Sequence, residues 1–365
     1  PLAAKIRGLR TAGRPVVVVN GAEGEPASAK DRVLLGRTPH LVLDGAALLA
    51  AAIGAHRVLV AITDQGQAPG LQRAIGSRPD ATLFELHGVA AGFVTGEATA
   101  LVSALNGGPA TPSGRRTLPA DRGVAGAPTI LSNAETFGQL AVLARTGPAE
   151  FASVGTPAEP GTTLLSVSGA VARPGVVEVP LGAELGVLAA AVGAQPSQAL
   201  VIGGYHGTWV PPAELSVSRA GLAPLGASLG AGVLIFVGER TCPLGELSRV
   251  AQWLADQSVK QCGPCAFGLP ALAADIRALL SGAGRGWRRA GPGWQGNGPA
   301  AALRHAGQLA GRGACAHPDG AVRFLSSGLS VLADEIRTHA AYGGCRRHDL
   351  GMLALSRPAA FARSL

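Results

Sequence analysis

The chain has 365 residues, enough for two or three domains around a sizeable core, and no run of about eighteen uncharged apolar residues that would span a membrane. Its net charge of +8 is spread along a sequence that is only 15% charged and 4% aromatic, which argues against a stacking nucleic-acid surface and for steering of an acidic protein partner. Five cysteines, an odd count, with no signal-peptide pattern at the start, favour a reducing cytoplasmic setting and metal work over disulfides.

Residues 1–150 alternate strand and helix patterns. A β-branched run over 16–19 predicts a buried strand, followed by a helix over 41–52, a strand over 57–62, a helix over 71–75 and a strand over 82–86. That alternation predicts a parallel sheet with helices on both faces. The first strand ends in Asn20-Gly21-Ala22-Glu23-Gly24-Glu25-Pro26, ahead of Lys30-Asp31-Arg32. Ligands bind at the carboxyl ends of such strands. Here Asn20, Glu23 and Glu25 offer acceptors to a planar ligand, and the glycines allow close approach. The simpler alternative is an acidic surface loop. Further on, Gly96-Glu97-Ala98-Thr99 opens a helix through Leu105, a Gly, Pro and Arg-rich loop follows, and Ser132 with Glu135 forms a capping-box pattern.

A linker is expected over 151–160, then a hairpin from Leu164-Leu165-Ser166-Val167-Ser168-Gly169 and a strand over 176–179, turning at Pro174-Gly175. A helix over 184–192 and strands near Leu200 and over 233–237 complete a small α+β unit, with Tyr205-His206 as its polar-aromatic cluster. From Cys242 the pattern turns helical over 244–255, 269–280, 301–310 and 321–340, a four-helix bundle. The loop over 282–299, with Arg285, Trp287, Arg288, Arg289 and Trp294, reads as a disordered connection rather than a docking loop.

Several motifs come in an order that resembles a known family. They are Asn20 to Arg32, Pro39-His40, Ala52-Ile53-Gly54-Ala55-His56-Arg57, Thr95-Gly96-Glu97-Ala98-Thr99-Ala100-Leu101 and Ser132-Asn133-Ala134-Glu135-Thr136. Behind them stand Ser258-Val259-Lys260-Gln261-Cys262-Gly263-Pro264-Cys265-Ala266-Phe267-Gly268 and Cys315-Ala316-His317-Pro318. The set resembles a divergent member of the FMN-bearing, NADH-binding flavoprotein subunit family of respiratory complex I, with relatives in NAD-linked hydrogenases and formate dehydrogenases. The resemblance implies an α/β fold in which a Rossmann-like FMN-binding domain (1–150) precedes a β-grasp (SLBB) domain (160–240). A helical iron–sulfur domain (241–345) and a basic tail (346–365) complete it. It also implies a phosphate loop upstream of Pro1.

By the same resemblance, Asn20, Glu23, Glu25, Glu97 and Asn133 surround the flavin, and Cys262, Cys265 and Cys315 hold a [4Fe–4S] cluster. Three departures stand out. Ala22 replaces an Asp of the flavin motif, while Ala98 and Leu118 replace the ribose-binding Glu and the adenine-stacking aromatic. The last two losses cost about 1–3 kcal/mol each, or about two to four decades in NADH affinity together. Arg115 or Arg116 suits the 2′-phosphate of NADPH. Val259 stands where the family places its first cluster cysteine, and His317 is the expected fourth ligand. An unbroken helix over 321–340 would carry Cys345 about 30 Å from Cys315, so Cys345 and Cys242 are expected nearer each other than the cluster.

The expected function is that of an NADH dehydrogenase (quinone)-like electron-transfer protein, passing electrons from a two-electron donor through FMN to the cluster and a ferredoxin-like carrier. Its expected place is cytoplasmic, with peripheral attachment to the inner face of the membrane through a partner. The alternative is a non-catalytic scaffold that docks a ferredoxin or a membrane redox complex.

Overall fold

A computed structural model describes residues 2–9, 13–114, 118–281, 298–347 and 349–356. The chain forms two compact units that divide between Leu164 and Leu165.

The first unit begins with α1 (Leu2–Arg7), β1 (Val16–Gly21), α2 (Lys30–Arg37) and α3 (Pro39–Ile53). It continues with β2 (Val58–Ile62), α4 (Ala68–Gly76), β3 (Phe84–Gly88) and α5 (Ala98–Leu105). The last elements are β4 (Thr129–Asn133), α6 (Ala134–Thr146) and α7 (Pro148–Ala152). All four strands are parallel, in the order β3-β2-β1-β4. Because side chains alternate across a strand, Val17, Val19, Val58 and Val60 pack with Leu43 and Phe137 on one face. Val16, Val18, Leu59 and Ala61 pack with Leu101 on the other. Both faces are therefore apolar, as a buried parallel sheet requires. The contact between α3 and α6 depends on Gly45, where a Cβ would lie 1.8 Å from the Phe137 carbonyl oxygen.

The strand and helix alternation expected over 16–105 is present, while β4 and α2 were not anticipated. The capping box is corrected. Ser132 lies within β4, Asn133 is the N-cap residue of α6, and Glu135 turns away to accept from Leu164 N at 2.8 Å and Thr163 Oγ1 at 3.1 Å. Pairing with β1 extends the strand past the point where the local cap would start a helix.

The second unit contains most of β5 (Thr162–Gly169), then β6 (Gly175–Pro180), α8 (Leu185–Val192), β7 (Ser197–Ile202), β8 (Thr208–Val210), α9 (Arg219–Leu222) and β9 (Val233–Gly238). These strands form a mixed sheet in the order β6-β5-β9-β7-β8, with β5 parallel to β9 and β7 antiparallel to β9 and β8. Five helices follow: α10 (Pro243–Asp256), α11 (Leu269–Leu280), α12 (Pro299–Leu309), α13 (His317–Val331) and α14 (Ala333–Tyr342). The helix expected over 321–340 is thus broken at Leu332, and among the described residues the expected four helices become five. Residues 282–297 of the glycine-rich loop lie outside the described residues.

The sheet and the helices, expected as separate domains, share one compact unit. Tyr205 is fully buried in edge-on contact with Trp253 of α10 and Phe324 of α13, and Trp209 packs on Phe324 as well. Part of the expected basic tail is also packed. Leu353 is fully buried, and Glu246 of α10, itself buried, accepts the backbone N–H groups of Gly351, Met352 and Leu353.

Among the described residues no single helix is long and apolar enough to cross a membrane. The bent pair α2 and α3 meets the length and composition test, and α3 contributes to the sheet core.

Glu246→Ala is expected to destabilise the second unit by about 3 kcal/mol or more, because it strands buried N–H donors and removes the partner of Arg249. Urea unfolding checks the loss. Amide exchange checks its place: protection at 351–353 should fall first, and unchanged protection there would contradict the assignment.

Candidate functional site

The order β3-β2-β1-β4 places β2 on one side of β1 and β4 on the other, so the switch point of the sheet lies between β1 and β4. A crevice outside the carboxyl ends at such a point is where open α/β sheets bind ligands. Asn20 and Asn133 are register partners there. The two asparagines serve differently. Asn20 is buried, donating from Nδ2 to Gly96 O at 2.9 Å and accepting from Ala22 N at 3.0 Å, so it ties the loop after β1 to the loop before α5. Asn133 is exposed, and its side chain makes no cap hydrogen bond.

Glu97 caps α5, its Oε2 accepting from Thr99 N, Thr99 Oγ1 and Ala100 N at 2.9, 2.6 and 3.0 Å. Glu25 accepts from Ala27 N at 3.2 Å. The loop glycines serve packing: a Cβ on Gly24 would lie 2.6 Å from Phe93 O, and one on Gly96 2.6 Å from Ala22 O.

Glu23 is the telling residue. Its Oε1 accepts from Ser28 Oγ at 2.6 Å and Asp31 N at 3.2 Å, while its buried Oε2 has no hydrogen-bond partner among the described residues. Burial, and then the Asp31 carboxylate, raise its pKa above the usual range. Behind it Lys30 is buried between Asp31 at 2.8 Å and Glu135 at 3.3 Å. Burial opposes the Lys30 charge, but the carboxylates prevail and its pKa is raised. An orphaned acceptor on the loop after β1, with the exposed Asn133 at the end of the neighbouring strand, fits the N–H edge of a flavin ring. At the nucleotide positions, Ala98 opens α5 and Leu118 is 63% exposed; Arg115 and Arg116 lie outside the described residues.

In the second unit, a non-glycine left-handed turn at Lys260 (φ 55°) leads to Cys262, and Cys265 sits in a π-helical turn over Pro264–Gly268. Such turns recur at functional sites. Cys265 and Cys315 are buried and Cys262 is half-buried. Burial first, then Cys262 and Cys315 close by, push the Cys265 thiol up to about 12. Three thiols crowded at a helix start fit three corners of a four-iron cube.

His317 does not supply the fourth. Its Nδ1 pairs with His206 Nε2 at 2.9 Å and its Nε2 with Leu254 O at 3.0 Å, so neither nitrogen is open to iron. The partner that engages Nδ1, His206, lies 111 residues away in sequence. Cys242 and Cys345 lie close to each other, and Glu335 and His339, which sequence reading missed, converge on the same point. The unassigned pair of cysteines, with Glu335 and His339 at helical spacing, was the available signal.

Comparison with known proteins finds matches over both regions. The family model of the Nuo51 FMN-binding domain matches residues 1–142. That of the NADH-ubiquinone oxidoreductase-F iron-sulfur binding region matches residues 246–339. The F 2 subunit of NADH-quinone oxidoreductase from Rhizobium meliloti is 29% identical over 298 residues, covering 75% of this chain and 71% of that protein. The corresponding F subunit from Mycobacterium tuberculosis is 29% identical over 350 residues, covering 90% and 76%. Among solved structures, an NAD+-reducing [NiFe]-hydrogenase in the air-oxidized state superposes with a TM-score of 0.81 at 26% identity. The match covers 97% of this chain, which spans 61% of the hydrogenase chain. With an FMN-binding domain, an iron–sulfur region and their order in common, this chain belongs to the family of NADH-quinone oxidoreductase F subunits, the flavoprotein subunits of the NADH dehydrogenase type.

Proposed function

We propose that this chain is a flavin and iron–sulfur electron-transfer subunit of a multi-subunit redox complex. The observation that carries the reading is Glu23 Oε2, buried at the carboxyl end of β1 without a hydrogen-bond partner among the described residues. Bound FMN supplies acceptance of an electron pair and its release one electron at a time, and a [4Fe–4S] cluster supplies single-electron carriage.

The protein's own residues divide the remaining work. Glu23, on the loop after β1, and Asn133, at the end of β4, would hold the ring edge, and Glu25 follows Glu23 on its loop. Asn20 and Glu97 keep the two loops together, through the Gly96 carbonyl and the first amides of α5. Cys262, Cys265 and Cys315 would hold the cluster, and Val259 offers no thiolate at the family's remaining position. The net charge of +8 suits an acidic, ferredoxin-like partner. Attachment to a membrane would then come through the partner, on the cytoplasmic side.

The decisive experiment is anaerobic reconstitution with iron, sulfide and FMN, followed by flavin and metal counts. A yellow-brown protein carrying both is expected, whereas a colourless product would sink the proposal and leave the scaffold alternative. Glu23→Ala should weaken FMN retention about tenfold, for the loss of about 1.4 kcal/mol. Cys262→Ser should lower iron content while flavin content stays constant.

Nucleotide use follows from Ala98 and Leu118, which provide neither a ribose acceptor nor an adenine stacking face. NADH oxidation by the isolated protein is therefore expected to be poor. Restoring both groups in Ala98→Glu with Leu118→Phe should tighten NADH about tenfold or more. A Michaelis constant for the unmodified protein already in the low micromolar range would refute the argument.

A further inference from the structure

Away from the three cluster cysteines, Cys242, Glu335, His339 and Cys345 each direct one donor atom to a common point, all four within 4.8 Å of one another. Cys242, Glu335 and His339 are buried, and Cys345 is half-buried. Cys242 Sγ lies 3.5 Å from His339 Nε2, and Glu335 Oε1 lies 3.2 Å from the same nitrogen. Glu335 and His339 are one turn apart on α14, which puts both on one face. Cys242 is the N-cap of α10 and accepts from Gly245 N at 3.3 Å.

The surroundings are arranged as for metal ligands. His339 Nδ1 lies 2.9 Å from Leu280 O. A proton on Nδ1 leaves the Nε2 lone pair turned toward the sulfurs, the form of imidazole that binds a metal. Glu335 Oε2 accepts from Arg347 Nη1 at 2.9 Å, so one carboxylate oxygen is held outside while the other faces in. Arg347 is fixed in turn by Gln198 Oε1 at 2.8 Å.

Two other uses of the same residues fit less well. In a cysteine, histidine and carboxylate triad the thiol and the carboxylate address opposite ring nitrogens. Here both meet Nε2. A disulfide between Cys242 and Cys345 would leave the convergence of Glu335 and His339 unexplained. A four-iron cube is ruled out by size, since its ligands sit at separate corners, whereas these atoms crowd around one point.

We propose that Cys242, Glu335, His339 and Cys345 bind a single zinc ion as a closed structural site. Sulfur, nitrogen and oxygen donors in a four-coordinate shell suit zinc, whose bonds of about 2.0–2.3 Å bring neighbouring donors to separations like those observed. Two thiolates, one carboxylate and Zn2+ sum to a single negative charge, which Arg347 offsets. In the metal-free site His339 holds a proton, its pKa raised to about 10 by Cys242 and Glu335. Entry of the ion displaces that proton and the thiol protons of Cys242 and Cys345 to solvent, leaving both sulfurs as thiolates. The ion joins the start of α10, α14 and the segment after α14.

The test is metal analysis of the purified full chain. One zinc per chain is expected beyond the cluster iron, resistant to mild chelation. Cys345→Ser and His339→Ala should each lower zinc about tenfold or more, with iron and flavin unchanged. Reconstitution of the stripped, unmodified chain with cobalt(II) should give thiolate-to-metal charge-transfer absorption, a readout that needs no variant to fold. Zinc at background, with Cys242 and Cys345 recovered as free thiols or as a disulfide, would overturn the proposal. So would loss of iron in Cys345→Ser. Absence of flavin and iron with zinc retained would count against the electron-transfer reading alone.

Discussion

The parallel pairing of β1 with β4 is the constraint on which the first unit depends. Parallel strands bring their carboxyl ends to one edge, and the register that sets Asn20 opposite Asn133 decides which loops meet there. A slip of one residue would exchange the two faces of a strand whose valines are buried on both sides. Lys30 reinforces the same edge, because its ammonium lies between a carboxylate that follows β1 and one that follows β4. Without that cation, Asp31 and Glu135 would lose the charge that offsets theirs. The unsatisfied oxygen of Glu23 is tolerable in this setting because the neighbouring charges already fix its loop.

In the second unit aromatic burial joins the sheet to the helices. Tyr205 and Trp209 belong to the connection and short strand after β7, yet they fill the space between α10 and α13, and Tyr205 OH donates to Ala354 O at 2.7 Å. His206 sits against Gly320, where a Cβ would fall 2.3 Å from its ring. The residues that looked like a lone polar-aromatic cluster are the joint between sheet and helices.

Much of this was legible in the sequence, and for physical reasons. Four consecutive valines, the Pro39 start and Gly54 finish of α3, and the spacing of Cys262 and Cys265 are local signals that survive folding. Where local and distant preferences compete, the reading failed. Ser132 and Glu135 look like a cap, but the β1 ladder and Lys30 claim the strand end and the carboxylate. The break at Leu332 has neither Gly nor Pro to announce it. His317 looked available because its partner His206 lies in the β-grasp part, and Cys242 looked unassigned because His339 is 97 residues away. Of the five residues expected at the flavin, Asn20 and Glu97 also tie loops together, a role that only coordinates reveal.

The carboxylate of Glu246 also bears on how the protein is made. Its amide partners lie 105 to 107 residues later in the chain, so α10 leaves the ribosome long before the backbone that will quench its buried charge. Until then that helix must keep its acidic face in water, and the loop that finally closes carries the entropic cost of its length. The first unit faces no such wait, since its sheet is complete once β4 has emerged. Synthesis therefore delivers a folded first unit while the second is still assembling, and the closure of residues 351–353 over α10 comes last.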